Sequence, residues 1–265
     1  MPIVKVNDIN MYYEIHGEGF PLVMIIGLSA DINWWGQPLL DRLSKLFKVI
    51  IFDNRGAGRT DKPDIPYSIK MMTDDTMGLL DNLDIKQFNL LGISMGGMIA
   101  QEIAVTYPER VAKLVLCSTS AGGSKYVPPT KEVFELLMST EDLSPEEVIE
   151  GTIPLLHTEE YIKNNPHIIE ESKEAIAKNQ MPRYAFKRQI GGAMAFSAGR
   201  KLKKLTVPTL ILQGKQDQLI PFRNAEILAD LIPNSHLVLF KKTAHALFSV
   251  ETENVIKTLI DFLKN

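Results

Sequence analysis

The sequence predicts an α/β protein whose mainly parallel central sheet is flanked by helices and interrupted by an inserted α-helical cap. Three observations lead there: short, nearly continuous apolar runs, helix-length amphipathic stretches between most of them, and one long stretch where the runs stop and helix signals crowd together.

Taken in order, Ile3 to Val6 and Met11 to Ile15 alternate apolar and polar residues and read as two short strands joined at Asp8-Ile9-Asn10, a hairpin at a sheet edge. Leu22 to Ile26, Val49 to Phe52, Phe88 to Ile93, Leu114 to Cys117, Thr209 to Leu212 and Leu237 to Phe240 are apolar almost throughout, as expected of strands covered on both faces. Within Ser68 to Asp84, Ile69, Met72, Thr76, Leu79, Leu80 and Leu83 recur at helical spacing; a second helix runs from about Met98, with small Ala100 and Ala104, to Tyr107. A final helix is expected near Glu251 to Leu263. Strand and helix alternate, and parallel neighbours need such crossovers, so the sheet should be mainly parallel.

From Ala121 to Lys204 no convincing strand is read. Ser144-Pro145-Glu146-Glu147 forms a capping box with proline at the first helical position, followed by Val148, Ile149, Ile153 and Leu156. Further helices should start near Thr130, Thr158, Pro166 and Pro182, and Leu205-Thr206-Val207-Pro208-Thr209-Leu210 resumes the sheet. The expected division is a core of residues 1–120 and 205–265 with a helical cap at 121–204.

Length and charge exclude several classes of function. A chain of 265 residues suits one large α/β domain with an insertion, and 45% hydrophobic with 23% charged residues is ordinary for a globular protein. Lys plus Arg number 29 against 32 Asp plus Glu, a net charge of -3, which offers no basic field for nucleic acid or an anionic membrane. The single cysteine, Cys117, lies in an apolar run, so no internal disulfide can form and burial is its expected fate. The N-terminal residues show no secretion signal, and no apolar run approaches about 18 residues, so a cytoplasmic protein without a membrane span is expected.

The chemistry concentrates at Gly92-Ile93-Ser94-Met95-Gly96, a G-x-S-x-G between an expected strand and an expected helix. The sharp turn pushes the Ser94 hydroxyl out of the sheet, and a side chain in place of either glycine would collide with neighbouring backbone. An aliphatic hydroxyl needs a base to take its proton. Of the five histidines, His16 precedes a central strand, His157 and His167 lie in the expected cap and His236 opens the last strand; each reads as structural or exposed. His245 instead follows the last strand, in a loop of the kind where sites assemble in such sheets. An imidazole base needs an acid to orient it, and Asp217 follows the neighbouring strand Thr209 to Leu212. Asp53, its competitor, ends an earlier strand, and with Arg55 it reads as bracing a loop.

Nearly the whole chain resembles the α/β-hydrolase superfamily, in its carboxylesterase and enol-lactonase branch. The likeness rests on Asp53-Asn54-Arg55-Gly56-Ala57-Gly58-Arg59-Thr60, similar to the family's D-x-R-G-x-G-x-S/T turn, on Gly92 to Gly97, similar to its G-x-S-M-G-G, and on Gly214 to Asp217, similar to its G-x-x-D loop. The order Ser94, Asp217, His245 is the nucleophile, acid, base order of that fold. Ala244 stands where relatives usually carry glycine. The resemblance further implies an oxyanion hole from the backbone N–H groups of Met95 and Leu28, with Ile26 replacing the common histidine before Gly27; His16-Gly17 lies too early to serve. Haloalkane dehalogenases and epoxide hydrolases, which carry aspartate at the Ser94 position, are excluded.

The implied reaction is acyl transfer to water, with no metal and no organic cofactor. Hydrolysis of short-chain carboxylic esters leads; an enol-lactone, a methyl ester, a C–C bond beside a carbonyl or cofactor-free perhydrolysis could use the same residues, and a small-molecule receptor is the non-enzymatic alternative. Trp34, Trp35, Phe134, Met138, Phe186, Met194 and Phe196 are the candidates for an apolar pocket beneath the cap. The expected partner is a small ester or lactone; the oligomeric state is open.

Overall fold

A computed structural model describes residues 2–139, 145–178, 181–250 and 252–264. The strands are β1 (Ile3–Val6), β2 (Ile9–His16), β3 (Pro21–Ile25), β4 (Lys48–Phe52), β5 (Phe88–Ile93), β6 (Val111–Cys117), β7 (Thr209–Gly214) and β8 (Ser235–Phe240). Helices α1 (Gln37–Leu43), α2 (Ile69–Asn82) and α3 (Met95–Thr106) fall among the first six strands. Between β6 and β7 come α4 (Lys131–Ser139), α5 (Pro145–Leu156), α6 (Glu159–Asn164), α7 (His167–Lys178) and α8 (Arg183–Met194). Helices α9 (Arg223–Leu231), α10 (Leu247–Val250) and α11 (Thr252–Lys264) complete the chain.

The eight strands form one sheet in the order β1-β2-β4-β3-β5-β6-β7-β8. β1 and β2 enter antiparallel, and every pairing from β4 to β8 is parallel. The apolar runs of β3 to β7 follow from burial on both faces, whereas β8, at the sheet edge, is half-buried. Val23 and Ile25 belong to the core on one face, with Met72 and Leu79 of α2, Ile99 and Ile103 of α3 and Leu228 of α9. Their neighbours Leu22 and Met24 point the other way, into the core that holds Leu39 and Leu43 of α1 and Val255, Ile256 and Leu259 of α11. This is the α/β-hydrolase fold.

The topology also creates a crevice. After β3 the chain passes to α1 on one face, and after the adjacent β5 it passes to α3 on the other, so the loops at their carboxyl ends diverge.

The structure amends several boundaries. Ile9 and Asn10, expected in the hairpin link, begin β2, and the turn sits at Asn7-Asp8 with Asn7 at φ 50°. Asparagine tolerates that left-handed conformation, which lets the strands pair one step earlier. Most strands run further than their apolar stretches, β6 starting at Val111, β7 reaching Gly214 and β8 starting at Ser235, because pairing with neighbours continues past the hydrophobic positions. α3 starts at Met95, directly after the serine turn, as a motif between strand and helix implies, and ends at Thr106. The expected final helix is α11, and a short helix, α10, comes before it. Ser144 of the expected capping box lies outside the described residues, and so does Glu251. Among the described residues no helix is long and apolar enough to cross a membrane.

Candidate active site

Ser94 occupies the link between β5 and α3 at φ 55°, ψ −123°, a conformation that non-glycine residues adopt only when their surroundings enforce it. Its N–H donates to Cys117 O (2.9 Å), and its C=O accepts from Gly97 N–H (2.9 Å) and from the Thr119 hydroxyl (2.7 Å). The flanking glycines are steric necessities: a Cβ on Gly92 would stand 2.3 Å from Gly96 O, and one on Gly96 2.1 Å from Ile25 O. β3, β5 and α3 therefore meet at van der Waals distance, leaving Ser94 half-buried at the carboxyl end of the sheet.

The loop after β3 lies directly against it. A Cβ added to Gly27 would stand 3.1 Å from Ser94 Cβ and 3.6 Å from Ser94 Oγ. Leu28 follows, half-buried, and Met95 opens α3 at 2% exposure. The Met95 N–H is one of the first-turn donors that a helix leaves without an intrahelical acceptor. Asn54 Nδ2 donates to Ile26 O (3.0 Å) and so ties this loop to the one after β4.

Asp53 and Arg55 act as braces. Asp53 accepts from Ile32 N–H (2.9 Å) and Arg59 N–H (2.8 Å). Arg55, 1% exposed, donates to both oxygens of buried Asp75 (2.7 and 2.9 Å) and to Asp8 (2.6 and 3.1 Å). These bonds hold the arginine in its charged form against the opposing effect of burial.

At the other side of the sheet end, His245 Nδ1 lies 2.9 Å from Asp217 Oδ2, and both side chains are nearly sealed. A carboxylate only accepts, so in the neutral imidazole Nδ1 carries the proton and Nε2 the lone pair. Asp217 takes three further bonds, from Leu219 N–H (3.0 Å) and Ile220 N–H (2.9 Å) at Oδ1 and from Gln213 Nε2 (2.9 Å) at Oδ2. Buried negative charge is stabilised by such an array. The Ser118 hydroxyl donates to His245 O (3.0 Å). Cys117, which anchors Ser94, and Ser118, which anchors His245, are consecutive, so β6 links the two halves of the site. Burial pushes the Cys117 thiol up, away from the thiolate that nucleophilic attack requires.

The helical segment between β6 and β7 touches the site at two places. At the end of α5, Leu156 O accepts from Ala246 N–H (2.9 Å), beside His245, and Pro154 O accepts from Gln218 Nε2 (3.5 Å), beside Asp217. His157 follows, 4% exposed and stacked on Tyr161 with centroids 5.1 Å apart, its Nδ1 without a hydrogen-bond partner among the described residues. Burial, and then the nearby charge of His245, lower its pKa to about 4. At the second place Gln189 of α8 reaches the loop after β3.

Among the other expected residues, Trp35 is core: it is 3% exposed and meets Phe248 edge-on at 5.9 Å. Phe196 is likewise part of the core facing α2, α3 and α9. Trp34 and Met194 are surface residues, at 42% and 63% exposure, while Phe134, Met138 and Phe186 are half-buried on the helical segment. His16 pairs with Glu14 (2.9 Å). Two residues about the site escaped the sequence: Gln213, which stands just past the apolar run Thr209 to Leu212 and bonds Asp217, and Gln189, whose partners lie in distant parts of the chain; His157, read as structural or exposed, is buried.

Residues 22–253 match the model of the family described as serine aminopeptidase, S33 (Hydrolase_4). A protein of Azorhizobium caulinodans bearing the name "Putative carbamate hydrolase RutD" is 28% identical over 260 residues, 98% of this chain and 97% of that protein. The enol-lactonase of Burkholderia xenovorans has a TM-score of 0.89 over 100% of both chains at 24% identity, a likeness of fold. A thermophilic esterase of Thermogutta terrifontis has a TM-score of 0.83 at 27% identity, covering 100% of this chain and 98% of the esterase.

Proposed function

The chain belongs to the serine aminopeptidase S33 family of α/β-hydrolases, and from that premise we propose that it hydrolyses small carboxylic esters through an acyl-enzyme on Ser94. The observation that carries this reading is the 2.9 Å bond from His245 Nδ1 to Asp217 Oδ2, which leaves Nε2 as the acceptor a serine hydroxyl needs.

In the proposed reaction Ser94 Oγ attacks the ester carbonyl while His245 Nε2 takes the hydroxyl proton. The Leu28 and Met95 N–H groups bind the oxygen that becomes negative. Collapse of the tetrahedral intermediate breaks the bond to the alcohol oxygen, which receives the proton from His245. A water molecule, deprotonated by the same imidazole, then attacks the acyl group; the acid leaves and Ser94 regains its proton. Asp217 stabilises the imidazolium at both stages. Residues 121–204 act as a cap over a core of 1–120 and 205–265, with Phe134, Met138 and Phe186 supplying apolar contacts to the acyl chain.

The test is a panel of p-nitrophenyl esters of increasing acyl length, extended to lactones and, because of the carbamate hydrolase name of a relative, to carbamates. Short esters should turn over, and Ser94→Ala should lose at least about a hundredfold in kcat/KM. A fluorophosphonate should label the peptide carrying Ser94. Undiminished activity in the variant removes Ser94 from the mechanism, and binding without turnover across the panel makes the protein a receptor.

A further inference from the structure

We infer that Gln189 is a positioning residue that holds the loop carrying the Leu28 N–H in place from the helical segment. The inference rests on the reading of Ser94 and its oxyanion hole given above.

Gln189 is 0% exposed, and both ends of its amide are used. Oε1 accepts from Ser29 N–H at 2.9 Å, and Nε2 donates to Arg55 O at 2.7 Å. Because one partner only donates and the other only accepts, the orientation of the amide is determined by its neighbours. The side chain thus bridges the loop after β3 to the loop after β4, from a helix about 160 residues further along the chain.

The position of this bridge gives it its meaning. Ser29 is the residue after Leu28 and has φ 59°, a left-handed conformation that serine does not hold unaided. The Gln189 bond fixes the peptide plane between Leu28 and Ser29. Two residues back, Gly27 packs on Ser94 Cβ, and Asn54 holds Ile26 O. The Leu28 N–H therefore stands between two anchored points, one of them supplied by α8. A donor meant for a developing oxyanion must be held in advance, because a shift of a few tenths of an ångström is felt only when the negative charge forms. Substrate binding, in which the carbonyl carries little charge, depends on it far less.

Gln189→Met keeps the length of the side chain and removes both bonds. It should lower kcat by about tenfold or more while KM stays within about twofold. Affinity for a short-chain trifluoromethyl ketone, whose adduct with Ser94 places an oxyanion in the hole, should weaken by a similar factor. A glutamine that only supports the fold would lower the thermal midpoint and leave kcat per folded molecule and ketone affinity alone; that result overturns the inference. Gln189→Glu provides an independent reading. A protonated carboxyl reproduces both bonds and an ionised one loses the donor to Arg55 O, so its kcat relative to the parent should rise as pH falls. A flat ratio also overturns the inference. If the parent itself is not labelled by fluorophosphonate at Ser94, the reading of the site fails, and the positioning role with it; if the parent is labelled and Gln189→Met matches it, only the role of Gln189 falls.

Discussion

The two regions that meet at the candidate site are built differently. Ser94, Gly27, Asp217 and His245 follow β5, β3, β7 and β8; the first three strands are buried on both faces and leave the backbone little freedom, while β8, at the sheet edge, is half-buried. The helical segment offers no strand end. It reaches the site with two helix-terminal carbonyls and with the buried polar side chains of Gln189 and His157. The sheet and the loops at its ends fix where the reacting groups are, by packing and by hydrogen bonds of their own; the helical segment adds hydrogen bonds to those loops. Packing is spread over many contacts and tolerates small changes, whereas a buried hydrogen bond depends on two atoms and leaves an unpaired group when one is lost.

That contrast can be broken by measuring what each kind of brace supports. The largest effect on stability is expected on the sheet side, at Arg55. Arg55→Met leaves the buried carboxylate of Asp75 without its cationic partner, and denaturant titration should show a loss of about 3–5 kcal/mol. A loss below about 1 kcal/mol would mean that the loop after β4 is held by other contacts, and the contrast would fail.

His157 comes next and is read through pH. Its folded pKa of about 4 lies below the 6.5 of a free imidazole, so between those values the unfolded chain binds more protons than the native one. Native stability from this group is therefore complete above pH 6.5 and is lost progressively down to about pH 4. His157→Phe should shrink the drop in stability across that window by about 2–3 kcal/mol. An identical drop in parent and variant would show that the imidazole does not titrate abnormally and that the end of α5 is wetter than its burial indicates.

The smallest effect belongs to Arg188, on the same helix as Gln189. It contacts Asp64 across the same boundary at 3.1 Å, but 40% of its side chain is exposed. Arg188→Ala should cost less than about 1 kcal/mol and leave kcat unchanged, since exposed ion pairs are screened. A kcat loss matching that of Gln189→Met would instead mean that the seating of α8 as a whole, rather than one amide, governs the loop.

Much of the sheet-borne half was legible in the sequence. Phe88 to Ile93 is a strand over its full predicted length, because a continuous apolar run between a turn and a glycine elbow has few other places to go. The elbow at Ser94 followed from Gly92 and Gly96, which only a strand meeting a helix at close approach requires. The pairing of Asp217 with His245 was reachable by topology, since both follow adjacent strands. Strand ends were less legible: Val111 to Lys113 and Gln213 to Gly214 pair through backbone groups, which carry no side-chain signal.

The pocket candidates show where pattern reading stops. Trp34 and Trp35 are neighbours in sequence, yet one is largely exposed and the other lies in the core against Phe248, because the short helical turn they share presents them in different directions. What the sequence determined by itself is what depends on local spacing: the apolar strands, the serine elbow, and the chain order of serine, aspartate and histidine. Only the tertiary structure decided which polar side chains of the helical segment reach the site. Gln189 owes its partners to residues far away in the chain, and no periodicity within a helix records which distant backbone group its buried amide will meet.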